Sequence, residues 1–292
     1  MTDGSVPASV QAFFLPGPAG TGGQRMAVLR PARGPLRGTV LHVHAFAEEM
    51  NKSRRMVMLA ARALADAGFA VLQIDLLGCG DSSGELADAR WDDWVDDVVH
   101  GSTWLQARHP GPLWLWGARA GCLLAAAAAT RLTGERHLLF WQAQGNGKLV
   151  LQQFLRLKMA SQMQHGAHKG ITEGLQRELA QGQAVEVAGY RLGPGLAQGM
   201  ESATLQVPPG PPSMRVLWLE VSSREPAVLL PASLATLAQW QQAGHRVQTF
   251  AVAGPPFWQT LEIEDAPALV QATVAGLIEP VLQPIAPAQA VA

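Results

Sequence analysis

The sequence predicts an α/β fold in which a mostly parallel β-sheet is covered by helices on both faces and carries a cap insertion. Three observations support this prediction. Apolar runs of strand length alternate with helical segments from residue 39 onwards. Glycine-containing turns follow several of these runs. The alternation stops between residues 142 and 213 and then resumes. Continuous apolar strands separated by helices are typical of a parallel sheet that is buried on both faces.

The predicted strands follow one another in a regular order. Two short β-like runs open the chain at residues 10–15 and 25–30, and the Pro/Gly-rich stretch between them predicts a turn and therefore a hairpin. The parallel strands are then predicted at residues 39–44, 70–75, 113–116, 137–141, 215–221 and 247–252.

The helices between the strands show apolar residues at helical spacing. Met56, Leu59 and Ala63 share one face of the first helix, and Gly68 marks its end. The second helix carries an apolar stripe that begins with Trp91, and this spacing indicates core residues rather than a ligand site. Four aspartates interleave with that stripe and are predicted to form a solvated face rather than a metal site: Asp92, Asp93, Asp96 and Asp97.

The domain organisation follows from the interruption in the alternation. Residues 1–141 and 214–283 are predicted to form the core, and residues 142–213 are predicted to form a cap or lid. Within the cap, residues 149–163 and 171–181 have a helical pattern, and residues 184–192 fit a short strand. Such an insertion would lie above the carboxyl ends of the strands, where open α/β sheets bind ligands. The Ala/Pro/Gln-rich tail, residues 284–292, is predicted to be disordered.

Composition excludes several classes of protein. The chain has 292 residues, of which 48% are apolar and 15% charged, with a formal net charge of -1. This balance gives no electrostatic reason to expect nucleic acid or an anionic membrane as a partner. The two cysteines give no disulfide framework, and the sequence predicts no metal site and no cofactor. No secretory signal or membrane span is visible, so a cytoplasmic location is expected.

The strongest local signal is the segment Leu113-Trp114-Leu115-Trp116-Gly117-Ala118-Arg119-Ala120-Gly121-Cys122 ahead of an alanine-rich helix. It resembles the nucleophile elbow of α/β hydrolases, G-x-S-x-G between a strand and a helix. A tight turn of this kind needs small residues on both sides, and the segment supplies them. The central position holds Arg119, which stays protonated and cannot attack a carbonyl. Serine-based hydrolysis at this elbow is therefore not expected.

Two further motifs stand in the order that α/β hydrolases use. His42-Val43-His44-Ala45-Phe46 follows the first long parallel strand, where these enzymes place one amide of the oxyanion hole. Asp75-Leu76-Leu77-Gly78-Cys79-Gly80-Asp81-Ser82 resembles the turn D-x-x-G-x-G-x-S after the next strand. Together with the elbow, these motifs predict the α/β-hydrolase fold.

The other triad positions are poorly filled. Glu225 lies near the place where the acid is expected, although Arg224 is an equally good match to that position. The histidine is expected after the last strand, but the segment Gly254-Pro255-Pro256-Phe257-Trp258 contains none. His245 precedes that strand and is predicted to lie at its opposite end. The resemblance to α/β hydrolases therefore implies no complete triad.

One branch of the superfamily is particularly similar. The segment His44-Ala45-Phe46-Ala47-Glu48-Glu49-Met50-Asn51-Lys52-Ser53-Arg54-Arg55, the elbow arginine and the Phe257-Trp258 ending resemble the exosortase A system-associated hydrolase 2 family. The resemblance runs over nearly the whole chain. It implies a bacterial protein associated with exosortase, exopolysaccharide and PEP-CTERM protein sorting, with a possible protein partner in that system. It implies no catalytic residue, because the motif positions lack the chemistry.

The leading hypothesis is a protein that binds an anionic or acyl-like small molecule under its cap. A guanidinium beside two free amides is a good receptor for a carboxylate or phosphate. The ligand-binding candidates are accordingly Arg119, Phe46, Ala120, Glu49 and Trp258. An equally supported alternative is that Arg119 forms a buried ion pair with a glutamate of the preceding loop, Glu49 above all. The two interpretations are compatible if a ligand completes the pair.

Two other functions remain open. One is an active hydrolase or acyl transferase on ester or thioester substrates, with a displaced nucleophile. Its weak catalytic candidates are Cys122, whose place at a helix start would lower its thiol pKa, His44 as a base, and Glu225. For Cys122 a packing role is favoured, and for His44 a hydrogen bond to the backbone. The other function is a protein-interaction module that uses the cap.

Overall fold

The computed structural model describes residues 9–163, 170–207 and 214–278. Its main sheet has eight strands in the order β1-β2-β4-β3-β5-β6-β9-β10. The strands are β1 Gln11–Pro16, β2 Gln24–Arg30, β3 Gly38–Val43, β4 Phe69–Ile74, β5 Leu113–Ala118, β6 Arg136–Trp141, β9 Arg215–Ser222 and β10 Arg246–Ala253. The predicted disordered tail, residues 284–292, lies outside the described residues.

The direction of the strands confirms the sequence-based prediction. β1 pairs with β2 as an antiparallel hairpin, and β2 is also antiparallel to β4. Every other pairing in this sheet is parallel. β3 is buried along its whole length because it lies in the middle of the sheet and is covered on both faces.

Helices cover both faces of the sheet. The helices of the core are α1 Glu48–Asp66, α2 Trp91–Arg108, α3 Gly121–Arg131, α7 Pro231–Gln242 and α8 Pro267–Ile278. Residues Val40 of β3, Val57 of α1 and Leu269 of α8 belong to one apolar cluster. Residues such as Leu41 of β3 and Leu124 of α3 belong to the other cluster, on the opposite face. Neighbouring residues of a strand point to opposite faces, so β3 contributes to both clusters.

The predicted cap segment contains three helices and a small hairpin among its described residues. These elements are α4 Gly147–Met163, α5 Ile171–Ala180, β7 Val185–Val187, β8 Tyr190–Leu192 and α6 Pro194–Ser202. Residues 184–192, expected to form one short strand, instead form a hairpin that turns at Ala188 and Gly189, both of which have positive φ. The helix α6 was not anticipated, because its two glycines are poor helix formers. One of them, Gly199, allows α6 to pack closely on Trp91 of α2.

The prediction that the four aspartates of α2 form one solvated face is wrong for Asp97. Asp92 and Asp96 do lie at the surface, where both pair with Arg131. Asp97 is fully buried and forms a salt bridge of 2.7 Å with Arg25 of β2, which is also fully buried. The Asp97 carboxylate also accepts a hydrogen bond of 2.7 Å from the amide of Leu77. This ion pair connects α2 to β2, the strand next to the edge of the sheet, and the hydrogen bond to Leu77 connects α2 to the turn after β4.

No helix in the described part of the chain is long and apolar enough to span a membrane. The same residues contain no group of three or more His, Cys, Asp or Glu side chains that could hold a metal ion.

Candidate functional site

The elbow between β5 and α3 has the geometry predicted from its small residues. Arg119 has a φ of 55°, a conformation that costs a non-glycine residue free energy and persists only where the surroundings impose it. A Cβ atom on Gly117 would lie 2.5 Å from the Cα atom of Cys122, and one on Gly121 would lie 2.6 Å from the carbonyl oxygen of His44. The strand and helix can therefore approach only because glycine stands at both positions. The predicted tight turn is confirmed.

The Arg119 guanidinium is held by side chains from three separate parts of the chain. Its Nη2 and Nε atoms donate to the Glu49 carboxylate over 2.8 and 3.1 Å. With the Gln144 amide oxygen turned toward it, that oxygen accepts from Nη1 and Nη2 over 2.5 and 2.7 Å. The Trp258 ring lies under the guanidinium, with 4.9 Å between Cζ and the ring centroid. The predicted contact between Glu49 and Arg119 is confirmed.

This arrangement occupies the place of a catalytic triad. Arg119 stands at the nucleophile position, and Trp258, from the segment where the histidine is expected, packs against it. No histidine follows His245 in the sequence, and His245 precedes β10, at the opposite end of that strand as predicted. The acid candidate Glu225 is exposed, and within the described residues its side chain has no hydrogen bond or ion pair. The Arg119–Glu49 ion pair and the Trp258 indole therefore stand at the positions where the serine and histidine of a triad are expected.

The amides expected to polarise a substrate oxygen are still present. Neither the N–H of Phe46 nor that of Ala120 donates to a protein acceptor anywhere in the described ranges. Both lie at the carboxyl ends of neighbouring parallel strands, since Val43 of β3 is paired with Gly117 of β5. Gly121 packs directly on the carbonyl groups of Val43 and His44, which keeps the elbow against the loop that carries Phe46. Buried amides normally have acceptors, so these two N–H groups are free to donate hydrogen bonds to a ligand oxygen.

A cavity of about 490 Å³ opens beside the elbow. One wall comes from Phe46, Glu49 and Arg119, and the other comes from Val150, Phe154 and Leu157 of α4, in the predicted cap. The remaining charged residues at this cavity are Glu48 and Lys52, whose side chains lie 3.9 Å apart. Each cation at the cavity thus has a carboxylate partner, and the facing wall from α4 is largely apolar.

Cys122 lies close to the elbow but is not poised to react. Its side chain is fully buried, and burial raises the pKa of the thiol although Trp141 and Arg119 act in the opposite direction. The expectation that the helix start lowers the Cys122 pKa is therefore wrong, because desolvation outweighs it. The alternative interpretation, a small packing residue, agrees with its burial.

His44 is held by the backbone, as expected for a histidine in this loop. Its Nδ1 atom lies 2.7 Å from the carbonyl oxygen of Ala45, and the amide of Leu76 donates to its Nε2 atom over 3.3 Å. Since Nε2 accepts, Nδ1 carries the proton and donates to Ala45. Both ring nitrogens are engaged, and burial lowers the pKa of His44, so the ring is not available as a base.

Sequence reasoning missed several residues of the cavity and its surroundings, and three of them show why. Gln144 binds Arg119 from the start of the predicted cap, and Phe154 and Leu157 line the cavity from α4. No motif marks Gln144. The spacing of Phe154 and Leu157, three residues apart on a helix, indicated a shared face, but nothing local showed what that face covers.

Comparisons with known proteins agree with this fold. A family model described as serine aminopeptidase, S33, matches residues 34–141, a segment that includes the elbow. No curated protein matches the chain. The solved structure of XC6422 from Xanthomonas campestris, described as an a/b serine hydrolase without lid, is 16% identical, covers 93% of this chain and 95% of its own, and has a TM-score of 0.55.

Two further solved structures of similar architecture extend the comparison. Est1E from Butyrivibrio proteoclasticus is 14% identical over 90% of this chain and 96% of its own, with a TM-score of 0.57. A thermostable carboxyl esterase from Bacillus coagulans is 15% identical over 85% of this chain and 91% of its own, with a TM-score of 0.54. Likenesses at these identities establish the fold alone. The chain has the α/β-hydrolase fold.

Proposed function

We propose that this protein binds an acyl-like small molecule under its cap and performs no covalent catalysis at the elbow. The observation that carries the proposal is the state of the elbow. Its central residue, Arg119, is neutralised by Glu49, whereas the amides of Phe46 and Ala120 have no protein acceptor. The nucleophile position thus holds a residue that cannot attack a carbonyl, whereas two amides beside it are free to donate to an oxygen.

The proposed ligand has a polar end and an apolar chain. The carbonyl oxygen of the ligand would accept hydrogen bonds from the amides of Phe46 and Ala120. The polar end of the ligand needs no other partner. The chain would extend along Phe46 and toward Phe154 and Leu157 of α4. Burial of apolar surface supplies the affinity, at about 25 cal/mol for each Å² removed from water.

The charges favour a neutral ligand over an anion. Arg119 already donates to Glu49 and to Gln144, and its face is covered by Trp258. An added carboxylate would have to compete with Glu49 in a partly buried place, where repulsion between like charges is poorly screened. An acyl ester, amide or ketone meets no such repulsion. We therefore place the acyl-like option ahead of the anionic one.

The physiological setting is a further part of the proposal and rests on the family resemblance alone. We infer a role beside exosortase and exopolysaccharide functions, in the cytoplasm. The same resemblance is the basis for proposing a partner protein of that system.

The first prediction concerns activity. The wild-type protein is expected to show little or no turnover of p-nitrophenyl esters, and a fluorophosphonate probe is expected to add no mass to it. An oxyanion hole and binding without a triad retain only about 10³–10⁴-fold over the reaction in water. Arg119→Ser alone is expected to stay inactive, because no histidine follows β10. Steady-state assays and intact mass spectrometry measure both.

The displaced-nucleophile alternative would give a different pattern. Ester turnover that survives Arg119→Ala and disappears in Cys122→Ala would establish Cys122 as the nucleophile and overturn the proposed function. Probe labelling at a serine outside the elbow would do the same.

The second prediction concerns binding. Heptyl methyl ketone, which cannot be hydrolysed, is expected to bind more tightly than nonanoate, which has the same number of carbons and a negative charge. Phe154→Ala is expected to weaken ketone binding about 10- to 150-fold, because burial of such a side chain contributes about 1.5–3 kcal/mol. Isothermal titration calorimetry measures both affinities. The matched control is Phe13→Ala on β1, whose ring packs on Trp104 instead.

Two results would contradict the proposal. Tighter binding of nonanoate, with its loss in Arg119→Gln, would show that the site is an anion receptor. Ketone binding that is equally affected by Phe154→Ala and Phe13→Ala would show that the cavity under the cap is not the site.

A further inference from the structure

A second, smaller cavity lies between the sheet and the inner face of α1. Its volume is about 100 Å³. The floor is a row across three paired strands, Val28 of β2, Gln73 of β4 and His42 of β3. The roof comes from α1, where Ser53 and Val57 are one turn apart.

Two polar side chains in this cavity lack hydrogen-bond partners. The Ser53 Oγ atom and the His42 Nε2 atom are buried and make no hydrogen bond in the structure. The exposed fractions of these residues are 3% and 5%. Gln73, which is only partly buried, makes no side-chain hydrogen bond with any described residue. A buried polar group without a partner is costly, and such groups in native proteins are usually satisfied by water or a ligand.

The deep part of the cavity is uncharged. Burial lowers the pKa of His42 to about 3, so its imidazole is neutral at physiological pH. His44, which also lines the cavity, is neutral because burial lowers its pKa and its Nε2 atom accepts from the amide of Leu76. The charged groups lie toward solvent: the Arg54 side chain is 52% exposed, and it stands 3.8 Å from the Asp75 carboxylate. Asp81 at the same end is exposed.

We propose that this cavity is a binding site for a small uncharged polyol, of the size of glycerol. The hydroxyl of Ser53, the imidazole of His42 and the amide of Gln73 each offer a hydrogen bond, and together they suit a ligand with several hydroxyl groups. One water needs about 15 Å³ of such space, so the cavity holds about six non-hydrogen atoms. Met26, Val28 and Val57 provide apolar contacts for the carbon atoms of the ligand.

The site is separate from the elbow cavity. The residues of α1 at the elbow cavity are Glu48, Glu49 and Lys52, whereas those at the second cavity include Ser53 and Val57. The two cavities have no lining residue in common, although Glu49 and Ser53 are one turn apart on α1. The polyol proposal rests on the residues of the second cavity and does not require the proposed acyl ligand.

Nuclear magnetic resonance titration of the full chain with glycerol tests the proposal. The histidine ring nitrogens are labelled, and the signal of His42 is followed. We expect a saturable shift of this signal with glycerol and none with acetate or methylammonium. Ser53→Ala is expected to raise the dissociation constant about tenfold, since the ligand loses a hydrogen bond in a buried site. Ser53→Val, which adds methyl groups to the cavity wall, is expected to abolish the shift.

The matched control is Ser102→Ala on α2. Ser102 is also a buried helical serine, but its Oγ atom already donates to the carbonyl oxygen of Val98 over 2.7 Å. This variant is expected to bind glycerol like the wild type. A glycerol shift that does not saturate, or one that Ser53→Ala leaves unchanged, would overturn the proposal. Tighter binding of methylammonium would also overturn it, because the carboxylates at the cavity mouth would then form a cation site.

Discussion

Gly121→Ala is expected to lower the free energy of unfolding by about 3 kcal/mol or more, which is large for the addition of one methyl group. A Cβ at this position would overlap the backbone carbonyl groups of Val43 and His44. These atoms belong to the end of β3, in the middle of the sheet, and cannot move aside as a flexible side chain would. Relief requires α3 to shift away from β3, which separates the amide of Ala120 from that of Phe46. Ligand affinity is therefore expected to fall together with stability.

Urea unfolding followed by circular dichroism measures the loss, with Gly174→Ala as the control. Gly174 lies in the interior of α5, and nothing stands within 4 Å of a Cβ added there. This control is expected to raise the free energy of unfolding by up to about 1 kcal/mol, because alanine is the better helix former. If the Gly121→Ala protein is as stable as the wild type, Gly121 does not pack closely against the backbone at the end of β3.

Arg25→Met is expected to destabilise the protein by about 3–5 kcal/mol near neutral pH, because it leaves the buried Asp97 carboxylate without its cation. Arg25 and Asp97 are both completely shielded from solvent and are joined over 2.7 Å. Arg25 also donates to the carbonyl oxygen of Gly22 and to Thr21, so its loss frees the turn of the first hairpin. The methionine fills the space of the arginine stem, which limits the cavity that remains.

The cost of Arg25→Met is expected to depend on pH. Burial raises the pKa of Asp97 to about 6, against the lowering effects of Arg25 and the Leu77 amide. A folded-state pKa above the unfolded value means that the folded protein favours protonated Asp97. The stability that this group contributes is present below the unfolded pKa and is lost as pH rises through about 6. Without Arg25 the Asp97 pKa rises further, so the deficit of the variant increases from acidic to alkaline pH.

Urea unfolding of both proteins across this pH range measures the effect. The double variant Arg25→Met with Asp97→Asn removes the titrating group, so it is expected to be more stable than Arg25→Met at alkaline pH and similar to it at acidic pH. An Arg25→Met deficit that is constant with pH would show that Asp97 keeps its charge without the arginine.

Local sequence was sufficient to predict the sheet and the elbow. The strands are short and apolar and are bounded by turns, so each could be located from its own residues, and β1 and β2 could be joined by the turn between them. The elbow was predicted because its requirement is local: Gly117 and Gly121 permit an approach that no larger residue allows. The absence of a histidine after β10 is likewise a property of the sequence.

Tertiary structure decided what surrounds each charge. Asp97 has the same spacing in the sequence as its surface neighbours, and only the approach of β2 brings Arg25 to it and buries both. Gln144 and Trp258 contact Arg119 although they follow it in the chain by 25 and 139 residues. No local sequence pattern pairs either of them with Arg119. The pKa of Cys122 depends on desolvation, which is set by all the neighbours of a residue at once. The spacing of apolar residues predicts which side chains share a face of a helix or strand. The partners and the burial of those side chains depend on how the elements pack against one another.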